Sequence, residues 1–284
     1  MLWSPFVSYA FHQANWDAFG TEGAQVTPGI NDAKGAWLDL MAGTVTRDIH
    51  VIRLHMNTGR VSGQARPILV DIGIDVAGGT TYTVMIPNLN AGNAAPWSTQ
   101  SWEMGGFIYQ FPMFVPAGAR LAARAQVGNG TAGFIRVAAS LFSVSRPELF
   151  SMGTFVDTVG INLANSRGVL ITSGNGVKGS WTSLGTVARD AWWFQGSMSH
   201  DFNTLVSQTY YVDFALGTAG TKRIIVNNQR FGVTGSTDEQ CSGEFIGATV
   251  RMPAGTELWA RAAASTGGTL TGWNASVMAH VLGG

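Results

Sequence analysis

The sequence predicts an all-β protein built as two tandem, homologous, antiparallel β-sandwich domains of jelly-roll type. Three observations lead there. The first is internal repetition. "PAGARLAAR" at 116–124 returns as "PAGTELWAR" at 253–261, 137 residues later. "KGAW" (34–37) returns as "KGSW" (178–181) at an offset of 144, and "GTVTRD" (43–48) as "GTVARD" (185–190) at 142. "VDIGIDVAG" (70–78) matches "VDFALGTAG" (212–220), also at 142. Matches in one order with small indels describe a duplicated unit of roughly 135 residues, an ordinary domain size. Solenoid repeats are far shorter, about 20–50 residues. The second observation is period-2 alternation, and the third is a composition of 37 glycines and only three lysines, which gives helices little to build on.

Along the chain, residues 1–18 read as an N-terminal arm and 19–145 as the first sandwich. Strands are expected at Val45–Met56, Ile68–Ile74, Thr83–Pro87 and Phe107–Val115. "PAG" at 116–118 is a turn, because Pro presets φ and Gly supplies the bend. In the strand that follows, Leu121, Ala123, Ala125 and Val127 take one face, and Arg120, Ala122, Arg124 and Gln126 the other. "FIRVAASLFSV" directs Ile135, Val137, Ala139 and Leu141 inward. Its counterpart "WNASVMAHV" directs Trp273, Ala275, Val277 and Ala279 inward at an offset of 138. A one-residue slip would turn every side chain over, so the length difference belongs in the Gly-rich hairpin loop before each strand. Residues 146–153, around Pro147, read as a linker, and 154–284 as the second sandwich, a divergent copy.

Composition excludes several classes. Apolar residues are 45% of the chain, enough for two cores, while charged residues are 12%, half of the usual ~25%. Seventeen basic and seventeen acidic residues cancel, so the footprint of a nucleic-acid binder is missing. No apolar run approaches the ~18 residues of a membrane helix, and neither nucleic acid nor membrane is expected as a partner. "MLWSPFVSYAFHQ" lacks the basic start and apolar run of an export signal, so synthesis in a cytoplasm without Sec export is expected. For the same reason the sequons at Asn129 and Asn274 carry little weight. Cys241 stands alone, which rules out an intrachain disulfide and reads as a small buried thiol.

Catalytic motifs are missing. There is no GxSxG, no HExxH, no Cys/His metal spacing and no GKS/T after a glycine-rich turn. The five histidines (His12, His50, His55, His200, His280) recur at no matching positions between repeats. No catalytic, cofactor-binding or metal-binding residue is assigned, and no enzyme activity or cofactor is expected.

Two residue sets stand out instead. Arg47, Asp48, Asp71 and Arg124 in the first repeat return as Arg189, Asp190, Asp213 and Arg261 in the second. They read as ion pairs and turn hydrogen bonds that hold each sandwich, since a buried polar group is costly unless paired. The second set is aromatic. Trp259 replaces Ala122 and shares the outer face with Glu257 and Arg261, while Trp192–Trp193 replaces His50–Val51. These five residues are candidate interface anchors.

The ordered segments "KGAW…L", "VDIGI…AGG", "MIPNL" and "FPMFVPAGARLAARAQ" resemble a family of tailed-bacteriophage and prophage virion structural proteins. The resemblance covers repeat one from about Phe19 to Val144; repeat two keeps "KGSW", "VDF" and "MPAGTELWAR" but loses "DIG" and "IPNL". It implies a component of the virion, made in the host bacterial cytoplasm. Its expected partners are further copies of itself, with a trimer among the options, and other virion proteins such as major capsid or tail proteins. Capsid decoration is the leading expectation. A tail- or fibre-associated receptor-binding protein that takes a surface glycan is the alternative.

Overall fold

A computed structural model describes residues 12–13, 23–58, 66–94, 107–128, 134–144, 152–200, 208–233, 241–243, 247–265 and 274–284. Within them the chain is all-β, with one short 3-10 turn at Leu163–Asn165. The first half supplies β1 (His12–Gln13), β2 (Ala24–Val26), β3 (Leu38–Asp39), β4 (Val51–Thr58), β5 (Arg66–Asp75), β6 (Thr83–Ala94), β7 (Phe107–Phe111), β8 (Arg120–Val127) and β9 (Ile135–Phe142). The second half opens with β10 (Phe155–Val159), β11 (Ile161–Asn162), β12 (Arg167–Thr172), β13 (Gly174–Asn175), β14 (Thr182–Thr186) and β15 (Ala191–His200). It continues with β16 (Gln208–Gly217), β17 (Lys222–Val233), β18 (Cys241–Gly243), β19 (Gly247–Met252), β20 (Glu257–Ala264) and β21 (Asn274–Gly283).

Among the described residues, strands pair only within their own half. The first half forms sheets ordered β2-β9-β4-β7 and β3-β8-β5-β6, with β1 also on β9. The second forms β12-β21-β15-β19 and β14-β20-β16-β17, with β10, β11, β13 and β18 as additions. If the eight main strands of each half are counted in chain order, the sheets run 1-8-3-6 and 2-7-4-5. That is the double Greek key of a jelly roll. Among the described residues the named strands pair antiparallel except for the short β13–β20 contact, and two isolated bridges, Gly29–Gln126 and Met113–Gly153, are parallel.

Alternation places the cores as read. Leu121, Ala123, Ala125 and Val127 are fully buried, as are Ile135 and Val137, with Ala139 and Leu141 1% exposed. In the second half Val277 and Ala279 are buried, while Trp273 lies outside the described residues. The offset between these last strands is 140, where 138 was expected. Ile52 pairs with Leu141 and its counterpart Phe194 (52 + 142) with Val281 (141 + 140). A shift of two keeps every face, which is why parity alone could not detect it.

Three boundaries change. His12–Gln13 is no arm, because it pairs with Leu141 and Ser140 in the place that β10 takes on β21. Val45–His50 is no strand: isolated bonded points, Val45 with Ala119 and Gly118 and Ile49 with Val115, carry it from one sheet to the other. Gly153, at the end of the expected linker, bridges to Met113; residues 145–151 lie outside the described residues.

The halves then meet along a seam. On β15 and β21 the residues facing away from the core include Gln195, Ser197, Ser199 and His280, and all are buried at 2% exposure or less. What covers them is β6 and β7 of the first half. Gln195 accepts from Gln110 N–H (3.3 Å) and donates to Ile108 C=O (2.8 Å), closing the open edge of β7. Ser199 donates to Asn90 Oδ1 (2.6 Å) and Tyr109 O–H to Asn90 C=O (2.6 Å). Apolar contacts run on through both halves as one continuous core.

Candidate functional site

The repeated polar residues assemble into the same cluster twice. In the first jelly roll Asp71, its side chain 4% exposed, accepts from Lys34 Nζ (2.7 Å), Asn88 N–H (2.9 Å) and Arg124 Nε (2.9 Å). In the second, Asp213 accepts from Lys178 Nζ (2.6 Å), Asn228 N–H (2.9 Å) and Arg261 Nε (2.9 Å). Arg124 lies over the Trp37 ring and Arg261 over Trp181, each 4.5 Å from the centroid. Asn88 and Asn228 reach their carboxylates from a left-handed backbone, at φ 53° and 55°, which Asn tolerates well. Thus the "KGxW" segment contributes a lysine to the carboxylate and a tryptophan to the arginine. The lysine, tryptophan and asparagine were missed by sequence reading. The repeat of "KGxW" beside that of Asp71 was the available signal.

Electrostatics follow from this packing. Burial pushes the Asp213 carboxyl up, but the hydrogen bonds from Lys178, Asn228 N–H and Arg261 outweigh it and hold the group below the usual carboxylate range. Lys34 is pulled down by burial, against the pull of Asp71. Three donors meet each carboxylate, so the cluster fastens the "KGxW" segment to three strands of one sheet.

Arg47, Asp48, Arg189 and Asp190 divide. Asp48 accepts from Ala117 N–H (2.9 Å) and Asp190 from Ala254 N–H (2.8 Å), each pinning a "PAG" turn. Arg189 pairs with Asp157 (2.7 Å) and covers Phe155 at 3.5 Å. Arg47 is exposed and makes no ion pair among the described residues, so the two arginines do not share a role.

The aromatic candidates sit closer to their own fold than expected. Trp259 does face outward, since Leu258 and Ala260 on either side are fully buried. Its ring is nevertheless half-buried: Nε1 donates to Gly217 C=O (2.9 Å), and Lys222 Nζ stands 4.2 Å from the ring centroid. Glu257 accepts from Ser183 Oγ (2.7 Å), and Arg261 is in the carboxylate cluster. Trp193 is 4% exposed, and that burial removes it from any outer surface. A Cβ on Gly247 would lie 2.2 Å from its ring, so only glycine fits there. Trp192 is partly buried against the core. Alternation on β15 holds, since Trp193 pairs with Leu282 and shares the face of Gln195, Ser197 and Ser199, but that face is buried. Trp192 lies on the core side with Phe194, and the extra residue of the bulge at this point is on β19.

The fold also brings together residues that no motif announced. His280 sits between Thr158 Oγ1 (3.0 Å to Nδ1) and Ser197 Oγ (3.2 Å to Nε2), with Tyr109 edge-on at 5.0 Å. Burial alone pulls this imidazole down to about 3. A serine–histidine contact invites comparison with a hydrolytic pair. Here a threonine hydroxyl stands where an orienting carboxylate would, and the ring is fully buried between the two halves. The arrangement holds the halves together.

No family model and no curated protein matches the chain. Among solved structures, the N-terminal tandem of CBM22 domains from Paenibacillus barcinonensis is 11% identical, with a TM-score of 0.28 over 97% of this chain and 92% of that one. The particle of infectious bursal disease virus, Gx strain, is 11% identical, with a TM-score of 0.26 over 85% of this chain and 58% of that one. The T=1 particles derived from the same virus give 12% and 0.25 over 85% and 56%. Likenesses at this level carry no argument about activity; the strand order above is what defines the fold.

Proposed function

We propose that this chain is a non-enzymatic structural component of a bacteriophage virion, placed on the particle surface as a capsid decoration protein. The supporting observation is the seam. Two jelly rolls that share one apolar core and a hydrogen-bonded polar layer make one rigid block with two related ends. Such a block suits neighbouring lattice sites that are similar but not identical. The motifs at 34–37, 70–79 and 111–126, which resemble virion structural proteins, point the same way. Its partners are then further copies of itself and the major capsid protein.

The test is localisation. Purified phage particles should contain the chain in stoichiometric copies, and cryo-electron microscopy should show it on the capsid exterior. Its absence from particles, or its presence only in infected-cell lysate, overturns the assignment. A second reading, a tail- or fibre-associated glycan receptor, is favoured by one feature: Trp259 lies on an outer face with a cation on its ring. Density at the tail tip would select it.

A further inference from the structure

At one end of the second jelly roll a cleft of about 620 Å³ opens between the β16–β17 turn and the segment joining β19 to β20. Lys222, Arg223 and Arg251 line it, with hydroxyls from Thr221 and Thr256 and apolar surface from Leu216 and Pro253. Among the described residues no carboxylate lines it. The described carboxylates nearest along the chain are already engaged: Glu257, next to Thr256, accepts from Ser183 Oγ, and Asp213, three residues before Leu216, is paired with Lys178 and Arg261.

Strand register shows where these cations come from. Leu216 pairs with Arg223 as Ile74 pairs with Thr83, so Arg223 answers to Thr83 and Lys222 to Tyr82. Ala191 pairs with Met252 as Ile49 bridges to Val115, so Arg251 answers to Phe114. All three positions are uncharged in the first repeat. In its second copy the same pair of turns has become cationic at three places at once.

These arginines also differ from others in the chain. Arg120, Arg124, Arg189 and Arg261 each pair with a carboxylate. Arg223 and Arg251 are exposed and make no ion pair among the described residues. Lys222 donates to Ala219 C=O and stands on Trp259, which fixes its charge at the cleft. Like charges around a concavity repel one another and focus positive potential into it. A guanidinium fork matches an oxyanion, whether carboxylate or phosphate, with two parallel hydrogen bonds.

We propose that this cleft is a binding site for an oxyanion, carboxylate or phosphate, carried on a hydroxylated ligand of sugar-ring size. The cleft's volume falls within the ~300–1,000 Å³ of small-ligand pockets, and the threonine hydroxyls and apolar surface suit the ring that bears the anion. The site stands on the second jelly roll alone, independent of any place on a virion.

Calorimetric titration of the full chain at low salt tests it, with glucuronate and glucose 6-phosphate as probes and glucose as the neutral control. Glucuronate, glucose 6-phosphate or both should bind with Kd tighter than about 1 mM, within the reach of a few charge-assisted bonds. Affinity should fall as salt is raised, and glucose should give no heat. Which of the two binds identifies the anion. The variant Arg223→Ala/Arg251→Ala should lose tenfold or more while keeping its melting temperature, because both side chains are exposed and unpaired. Should that variant misfold, Arg223→Thr/Arg251→Phe, which installs the first repeat's residues, carries the same expectation. Absence of binding by both charged probes, equal binding of glucose, or unchanged affinity in the folded double variant overturns the proposal.

Discussion

Asp213 exposes 1% of its side chain and Asp71 4%, and a lysine, an arginine and a backbone N–H surround each of them. Removing such a carboxylate leaves two cations facing each other under little solvent. Breaking a buried pair from one side costs about 3–5 kcal/mol, so Asp213→Ala and Asp71→Ala should each lower the unfolding free energy by about that much in urea titrations. Asp190→Ala loses one exposed hydrogen bond to the turn and should cost only about 1 kcal/mol. A similar loss from all three would show that the clusters are not fasteners. Trp259 belongs between these cases. Read from parity alone, Trp259→Ala should leave stability unchanged. Its bond to Gly217 and its contact with Lys222 predict instead a loss of about 1–2 kcal/mol. Parity says which way a side chain leaves its strand, but not whether a neighbouring turn folds back over it.

Among the elements, the "PAG" turn was legible because its chemistry is local. Ala119 N–H donates to Pro116 C=O and Thr256 N–H to Pro253 C=O, with Gly118 and Gly255 at φ 88° and 82°. Nothing crowds a Cβ at either glycine, so the backbone angle alone makes the requirement. Gly255→Ala should therefore cost about 1–2 kcal/mol by forcing a side chain into left-handed backbone, and an unchanged melting temperature would refute that. The core faces of β8 and β9 were legible for a similar reason, since alternation is written within eight residues. Less local features escaped. The true offset of β21 depends on its pairing with β15, and the irregular path of Val45–His50 depends on hydrogen bonds to residues about seventy positions away. Asp71 and Arg124 were legible as repeated residues, whereas the partnership that joins them to Lys34 and Trp37 exists only once four segments meet.

For the molecule as a whole, the seam decides how it unfolds. A layer of Gln195, Ser197, Ser199 and His280 facing away from one core would be ordinary solvent-facing surface on an isolated domain. Covered by β6 and β7, Gln195 and Ser199 have exchanged water for hydrogen bonds to the other half, while His280 bonds Ser197 and Thr158 of its own half beneath Tyr109 of the other, and the halves should melt in one transition. Acid should weaken this arrangement first. His280 stays neutral in the fold down to about pH 3, and burial with a smaller push from Arg53 holds His55 to about 4. An unfolded histidine takes up its proton near 6.5, so between that pH and the folded value the unfolded chain binds more protons. Stability is then full above about pH 6.5 and is lost as the pH falls, at about 1.4 kcal/mol per pH unit for each such histidine. The lowered carboxyl of Asp213 acts in the same direction, its contribution disappearing as pH drops through the carboxylate range. Urea titrations from pH 7 to 4 should therefore show a single transition whose free energy declines steeply. The His280→Gln variant should start weaker at pH 7, having lost its fit between Thr158 and Ser197, but decline by about 1.4 kcal/mol less per unit. Equal slopes for the two proteins would remove His280 from the acid response, and two resolved transitions would show that the jelly rolls fold apart.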